Sequence, residues 1–187
     1  MNIRQMSYRT KTYIAGDWTG DSDAITQLMK WNEGDKWALH FLDVHSYTSS
    51  YDSSLPCSIK SSLSTRMGIS KTFILVVGAQ TNTITKGACR YCGRYGTYSS
   101  SCLNGHPSVD QRSFVKYECD LARNAYNNGD IKIVVLYNST IIDRNKCPES
   151  LRWVGTHAPM KKSTYSYYLG KYISDYDYST VKDAIEK

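Results

Sequence analysis

The sequence predicts an α/β fold in which helices cover both faces of one open, parallel sheet. Strand-like and helix-like segments alternate along the first 137 residues, a pattern typical of β–α–β units. Residues 71–78 contain a continuous apolar run, as expected for a central parallel strand buried on both faces, and residues 131–137 are its largely apolar counterpart. The helical segments carry their apolar residues on one side, so each can pack on the sheet.

The size and composition are those of one globular domain. The chain has 187 residues, of which 41% are hydrophobic. It contains no run of 18 apolar residues, so we expect no membrane-spanning helix, and its first residues lack the apolar core of a secretory signal. The net charge of +6 comes from scattered basic residues without a nucleic-acid-binding motif. These features predict a cytoplasmic protein that binds neither membranes nor nucleic acids.

The first strand and helix are short and well delimited. Residues 12–15 form a β-rich run that ends at Gly16. Residues 21–31 follow with helical periodicity, and Gly34 lies just past their end. Three polar residues can cap the start of this helix: Asp21, Ser22 and Asp23. Its apolar residues share one face: Ala24, Ile25, Leu28, Met29 and Trp31.

A polar loop separates the second strand from the second helix. Residues 38–43 are predicted as the strand and residues 45–56 as the loop. Pro56 suits the first turn of a helix. We therefore expect an amphipathic helix that ends at Gly68, with apolar residues recurring every four positions at Ile59, Leu63 and Met67.

The third helix lies between the two central strands. Residues 111–127 have helical periodicity and end at the turn-like pair Asn128-Gly129. Residues 79–110 before them are rich in Gly, Ser, Tyr and Cys, and such a connection is long for a compact domain. We interpret residues 82–110 as an insertion.

The pattern weakens after the last central strand. Residues 164–173 are either a strand or an aromatic packing segment, and residues 180–186 are predicted as a short helix. We expect one domain over residues 1–187, with a tyrosine-rich C-terminal extension from about residue 140. This tail can pack on the sheet or form a surface for self-association.

The loops at the carboxyl ends of the strands are the candidate ligand site. Ligands of open parallel sheets bind at this edge, where the strand order reverses. The residues that follow the first three predicted strands are residues 16–18, 43–45 and 78–81. Polar residues after strands also act as helix caps and turn formers, so Asp17, Asp43 and His45 have both interpretations.

Glu118 is a carboxylate on the packing face of the third helix. At about 100° per residue it falls between Ala125 and Ala122, inside the apolar arc. Burying an ionised carboxylate is costly unless it is paired or faces a cavity. Glu118 therefore either bends to solvent or binds a core Arg, Tyr or backbone amide, or it points into a pocket and serves a ligand.

Four segments stand out by their order and spacing within residues 12–137: YIAGDWTGD, FLDVHS, SSLSTRMGISKTFILVVGAQT and SFVKYECDLA. Together they resemble the TIR-like family, in particular the NAD-cleaving component of bacterial Thoeris antiphage defence. That family has an acidic residue near the end of the first strand, a D-x-H turn after the second, a strand leading to G-x-x-T, and a helix with an aromatic–V–x–[YW]–E motif. Here the corresponding positions are Asp17, residues 43–45, residues 70–81 and residues 114–118.

The resemblance implies a flavodoxin-like (TIR-like) three-layer fold and an NAD+ glycohydrolase or cyclase. It implies that Glu118 is the catalytic glutamate and that NAD+ is a substrate rather than a cofactor. It also implies an ADP-ribose or cyclic product that activates a partner effector protein. The implied NAD+ contacts are Ala15, Gly16, Asp17, Trp18, Asp43, His45 and Phe114.

Four potential zinc ligands lie close together in the predicted insertion. They are Cys89, Cys92, Cys102 and His106, with spacings similar to those of zinc sites built from three cysteines and one histidine. A structural metal would order a segment that is otherwise too polar to fold by itself. The alternative is that the cysteines are reduced thiols without a metal.

Two other classes of function fit the same pattern. A non-catalytic TIR-like adaptor would bind partner proteins or a nucleotide. A nucleoside deoxyribosyltransferase-like enzyme shares the fold and an active-site glutamate. Fold similarity alone cannot separate these classes from NAD+ cleavage.

Overall fold

A five-stranded parallel sheet lies between two layers of helices, which confirms the predicted α/β three-layer fold. The structure is a computed structural model that describes residues 10–34, 41–43, 55–103 and 109–187. The strands within these ranges are β1 (Thr10–Ala15), β2 (Phe41–Asp43), β3 (Thr72–Val77), β4 (Tyr95–Gly96), β5 (Ser101–Cys102), β6 (Lys132–Tyr137), β7 (Thr156–Pro159), β8 (Lys161–Ser166) and β9 (Lys171–Tyr176). The α-helices are α1 (Ser22–Glu33), α2 (Pro56–Ile69), α3 (Phe114–Asn127) and α4 (Tyr178–Glu186).

The order of strands across the sheet is β2-β1-β3-β6-β7, and every neighbouring pair is parallel. Counting only these five strands along the chain, the order is 2-1-3-4-5, which is that of flavodoxin-like folds. All six residues of β3 are buried, as its apolar run predicts. The strand order reverses between β1 and β3, so this is the position where such folds bind ligands.

Each face of the sheet carries its own hydrophobic core. Helices α2 and α3 cover the face that includes Tyr13 and Phe73, whereas α1 and α4 cover the face that includes Ile14 and Ile74. The alternation follows from the two-residue period of a strand, which sends successive side chains to opposite faces. The buried apolar residues of α1 are Ala24, Ile25, Leu28 and Trp31, with Met29 partly buried, as its periodicity predicts.

Two helix boundaries differ from prediction, and one predicted capping residue makes no capping bond. Helix α3 begins at Phe114 rather than residue 111, because the Ser113 hydroxyl accepts a hydrogen bond from the Lys116 N–H (3.2 Å). Gly68 does not end α2, which continues to Ile69. Asp21 occupies the N-cap position of α1, but its side chain makes no capping bond.

The C-terminal part contributes to both the sheet and a helical layer. Strand β7, which the sequence pattern did not reveal, adds to the edge of the sheet beside β6. Residues 164–173 are not a single strand: they comprise the end of β8, a four-residue turn and the start of β9, which pair as an antiparallel hairpin. The predicted C-terminal helix is α4. Within the described ranges, no helix is long and apolar enough to cross a membrane.

Candidate active site

Helix α3 carries Glu118 into the layer beneath the carboxyl edge of the sheet. Because β3 and β6 are parallel, the helix between them starts at the carboxyl edge and runs back toward the amino edge. Glu118 lies in the second turn, and only 6% of its surface is exposed. It is therefore one of the few buried carboxylates of the described chain, in agreement with its predicted position on the packing face.

Tyr13 of β1 is a hydrogen-bond partner of Glu118. Its hydroxyl donates to Glu118 Oε1 at 2.5 Å, and the tyrosine is fully buried. Its ring stacks on Phe73 with 5.7 Å between ring centroids, which fixes the direction of the hydroxyl. The sequence analysis allowed a core tyrosine as a partner of Glu118 but did not single out Tyr13, whose phenol lies in the middle of a strand with both polar and apolar residues.

The surroundings of Glu118 screen charge poorly. Burial raises the pKa of the neighbouring Cys119 thiol well above its ordinary value, and the negative charge of Glu118 raises it further. Cys119 is fully buried and therefore remains a protonated, apolar core residue. In such an environment a fixed carboxylate interacts strongly with any positive charge that develops close to it.

Phe114 lies at the start of α3 and is covered by the predicted insertion. Its N–H donates to the Lys86 carbonyl oxygen at 2.9 Å. Gly87 has a φ of +99°, and a Cβ at this position would lie 2.6 Å from the Phe114 ring. Close packing between the insertion and α3 therefore requires a glycine here. Phe114 also packs against the core that contains Tyr13.

The four residues predicted at the end of β1 point in different directions. Ala15 is fully buried in the same core as Tyr13. Gly16 faces the opposite core, because a Cβ there would lie 3.3 Å from the Val76 Cβ and 3.6 Å from the Ile25 Cδ1, both of which belong to that core. Asp17 Oδ1 accepts a hydrogen bond from the Thr19 N–H (3.1 Å), which is the geometry of a turn former. Trp18 is 46% exposed. Only Ala15 shares the face of Glu118.

The residues predicted after β2 are described in part. The backbone of Asp43 lies beside Thr12 in the parallel register of β1 and β2. This pairing places Asp43 next to the strand that carries Tyr13. His45 falls outside the described residues, and the roles of both residues in NAD+ binding stay predictions.

A second polar cluster joins three strand ends at the carboxyl edge. Asn138, which follows β6, donates from Nδ2 to Asp21 Oδ1 (3.0 Å) and to Asp23 Oδ1 (3.1 Å). The Asp21 carboxylate lies against Gly78, where a Cβ would be only 1.8 Å from Oδ1. Burial raises the pKa of Asp21, and the hydrogen bond from Asn138 partly opposes this effect. Sequence reasoning missed Asn138, because Asp21 and Asp23 are more than a hundred residues distant from it along the chain.

The predicted zinc ligands are brought together in part. Cys89, Cys92 and Cys102 line one small cavity, whereas His106 falls outside the described residues. Within the described ranges, no three His, Cys, Asp or Glu side chains stand at metal-ligating geometry. The zinc site with His106 as a ligand therefore stays a prediction.

The Tyr13–Glu118 hydrogen bond should be visible as a coupling energy. We expect the Tyr13→Phe and Glu118→Ala changes to be non-additive in the free energy of unfolding by about 1 to 3 kcal/mol, as for a buried hydrogen bond to a charged group. Urea unfolding of both single variants and the double variant measures this coupling. Additive effects within about 0.3 kcal/mol would show that the two side chains do not interact.

Asp110 fixes the end of the insertion to α2 and to the segment before α3. Lys60 Nζ lies 3.3 Å from Asp110 Oδ1, and Arg112 Nη2 lies 2.7 Å from Oδ2. Partial burial raises the pKa of Asp110, but the hydrogen bonds from Arg112 and the charge of Lys60 outweigh it and lower the pKa to about 2. The ionised carboxylate therefore stabilises this connection.

This stabilisation predicts a defined acid dependence. Because the folded-state pKa of Asp110 is below the ordinary value of 3.8, its contribution is complete above about pH 4 and is lost as the pH falls toward 2. Asp110→Asn should flatten the decrease of melting temperature over this window. Asp130→Asn, a change at an exposed carboxylate, should leave it unaltered. An equal slope for wild type and Asp110→Asn would contradict the assignment.

The sequence matches no protein-family model, and a comparison with curated proteins finds no match. The functional assignment therefore depends on the residues of this chain.

Proposed function

We propose that this protein is a TIR-like NAD+ glycohydrolase or cyclase that releases nicotinamide and makes an ADP-ribose-type signal in antiphage defence. The observation that supports the proposal is the Glu118 carboxylate. It is buried in the turn of α3 that lies beneath the carboxyl edge of the sheet, and the Tyr13 hydroxyl holds it. Flavodoxin-like folds bind nucleotides at the carboxyl edge of the sheet, where the strand order reverses, which here is between β1 and β3.

Cleavage of NAD+ needs stabilisation of a cation more than it needs a nucleophile. The bond between the ribose C1′ and the nicotinamide nitrogen breaks, and its electron pair neutralises the pyridinium. The ribose becomes an oxocarbenium-like cation, as in glycoside cleavage. A preorganised carboxylate beside this sugar lowers the barrier because its attraction to the cation is weakly screened. Glu118 would supply that charge, and Tyr13 would act as a positioning residue.

The second half of the reaction chooses the acceptor at C1′. Water adds and loses a proton to give ADP-ribose, whereas a hydroxyl or base of the same molecule gives a cyclic product. Exclusion of water favours the cyclic product. The insertion is a candidate cover, since it already packs on Phe114 at the start of α3. The product would then activate an effector protein in the cytoplasm, and the exposed Tyr167 and Tyr168 suit self-association.

The test is a substrate panel on purified protein. NAD+ and a set of deoxynucleosides are incubated separately with the enzyme, and free nicotinamide, free bases and nucleotide products are separated by chromatography. We expect nicotinamide and an ADP-ribose-type product. Base exchange among deoxynucleosides without nicotinamide release would instead identify a deoxyribosyltransferase-like enzyme. Turnover of neither substrate would favour the non-catalytic adaptor.

A further inference from the structure

We propose that Cys57, Cys89, Cys92 and Cys102 together bind one structural Zn2+ through four thiolates. The four residues come from three separate segments: the first turn of α2, the short 3-10 turn Cys89–Tyr91 with its following residue, and strand β5. All four line a single cavity of about 20 Å³, which has room for about one water molecule or ion. All four are half-buried, and none forms a disulfide.

The sequence C-R-Y-C-G-R around Cys89 and Cys92 folds as a turn that prepares thiolates for a metal. The Cys92 N–H donates to the Cys89 carbonyl oxygen at 2.9 Å, which closes the turn. The Arg94 N–H points at Cys92 Sγ with a distance of 3.5 Å. Backbone N–H groups aimed at sulfur offset the charge of a thiolate, and such partners orient metal ligands. Arg94 also lines the cavity and adds positive charge beside it.

A hairpin brings the third thiol to this turn. Strands β4 and β5 are antiparallel, and Cys102 pairs with Tyr95, three residues after Cys92. The Tyr95 N–H donates to the Cys92 carbonyl oxygen at 3.0 Å, so the hairpin continues directly from the turn. The Cys-x2-Cys spacing and its return by a short hairpin are typical of tetrahedral zinc sites.

The fourth ligand comes from α2 rather than from the insertion. Cys57 lies in the first turn of α2, beside Leu55 and Pro56, which line the same cavity. It gives a donor set of four cysteines, which closes the coordination sphere of a structural zinc without His106. Thiolates are soft ligands that favour zinc over hard divalent cations. The sulfurs do not yet stand at ligating distances, so metal binding has to draw them inward by rotation of the cysteine side chains.

The segment around this cavity has few other interactions that stabilise it. None of the residues from 89 to 103 is buried, and Tyr91, Tyr98 and Leu103 are exposed. Two paired strands of two residues each are too short to be stable alone. A metal that cross-links the hairpin to α2 would supply the missing stabilisation, because metal-binding free energy becomes folding free energy.

The cross-link would also support the start of α3. The Cys89 N–H donates to the Asp110 carbonyl oxygen at 3.0 Å, and Asp110 in turn contacts Lys60 of α2. Zinc at the four cysteines would therefore hold α2, the insertion and the segment before α3 in one unit. Its role is structural, because four protein ligands leave no open position for a substrate.

The first experiment uses the wild-type protein, purified without a histidine tag under reducing conditions. Elemental analysis should find one zinc per chain. Alkylation followed by peptide mass spectrometry should show that Cys57, Cys89, Cys92 and Cys102 are protected together and become reactive together after chelation. Absence of stoichiometric zinc from protein supplied with Zn2+ would overturn the proposal. So would rapid alkylation of Cys57 while the other three stay protected, or a stoichiometric ion other than zinc.

Two variants separate this donor set from one that includes His106. We expect Cys57→Ser to weaken zinc binding by at least about 100-fold, since even changes to residues behind the ligands cost about 10- to 100-fold. His106→Ala should retain full zinc content. The reverse outcome would identify His106, rather than Cys57, as the fourth zinc ligand. Should Cys57→Ser fail to fold, the alkylation pattern of the wild type still decides the question.

Cys147 provides a matched control. It is fully buried, and burial raises the pKa of its thiol to about 11, so it stays protonated at neutral pH. Cys147→Ala should leave one zinc per chain. Replacing zinc by Co2+ should give thiolate-to-metal charge-transfer absorption with the intensity of four sulfurs. Three-sulfur intensity in the wild type would contradict the assignment of four cysteine ligands.

Discussion

Glu118→Gln is expected to lower the rate of NAD+ cleavage by at least about 100- to 1,000-fold, the usual effect of removing one preorganised group that stabilises transition-state charge. Glutamine keeps the shape of the side chain and can still accept the hydrogen bond from the Tyr13 hydroxyl. It removes the negative charge that would face the ribosyl cation. The measurement is single-turnover release of nicotinamide, compared with the melting temperature of the same samples.

Asp120→Asn is the matched control for this substitution. Asp120 lies on the same helix, two residues after Glu118, and pairs with Arg112 Nη1 at 2.7 Å on the outer side. The change removes the same charge from a partly exposed position on the outer side of the helix, where solvent screens it, so NAD+ cleavage should change by less than about twofold. Full activity of Glu118→Gln, or an equal loss in both variants, would end the catalytic assignment of Glu118.

Gly155→Ala is expected to destabilise the fold by about 3 to 5 kcal/mol, the sum of left-handed backbone strain and steric overlap. Gly155 precedes β7 and has a φ of +78°. A Cβ at this position would lie 2.3 Å from the Ile133 carbonyl oxygen and 2.8 Å from its Cβ. The neighbour is backbone of β6, which cannot move without loss of the pairing that brings β7 into the sheet.

Gly129→Ala separates the two contributions to this loss. Gly129 also has a φ of +78°, but no atom lies within 4 Å of the position of a Cβ. It should therefore cost only the backbone strain, about 1 to 2 kcal/mol. Urea unfolding gives the free energy for both variants. Equal losses would mean that the close approach of Gly155 to Ile133 has no energetic consequence.

The sequence predicted most of the layer architecture, because that architecture depends on the local periodicity of apolar residues. The apolar run of β3 and the helical spacing of Leu63 and Met67 require only neighbouring residues, and the corresponding elements are present. The same reasoning located Glu118 on the buried face of its helix. Strand β7 escaped detection because Thr156–Pro159 is short and partly exposed at the edge of the sheet, so it has no distinctive pattern.

The contacts that give Glu118 and the cysteines their chemistry were decided by tertiary structure. Tyr13 and Glu118 are 105 residues apart along the chain and meet only because β1 and α3 pack together. Cys57 joins the other three thiols only because α2 starts beside the insertion. Periodicity determines which face of an element is buried, but pairing between distant side chains depends on how the strands are ordered and how the helices lie across them. The sequence by itself thus determined where a buried carboxylate lies, and only the folded chain determined what holds it.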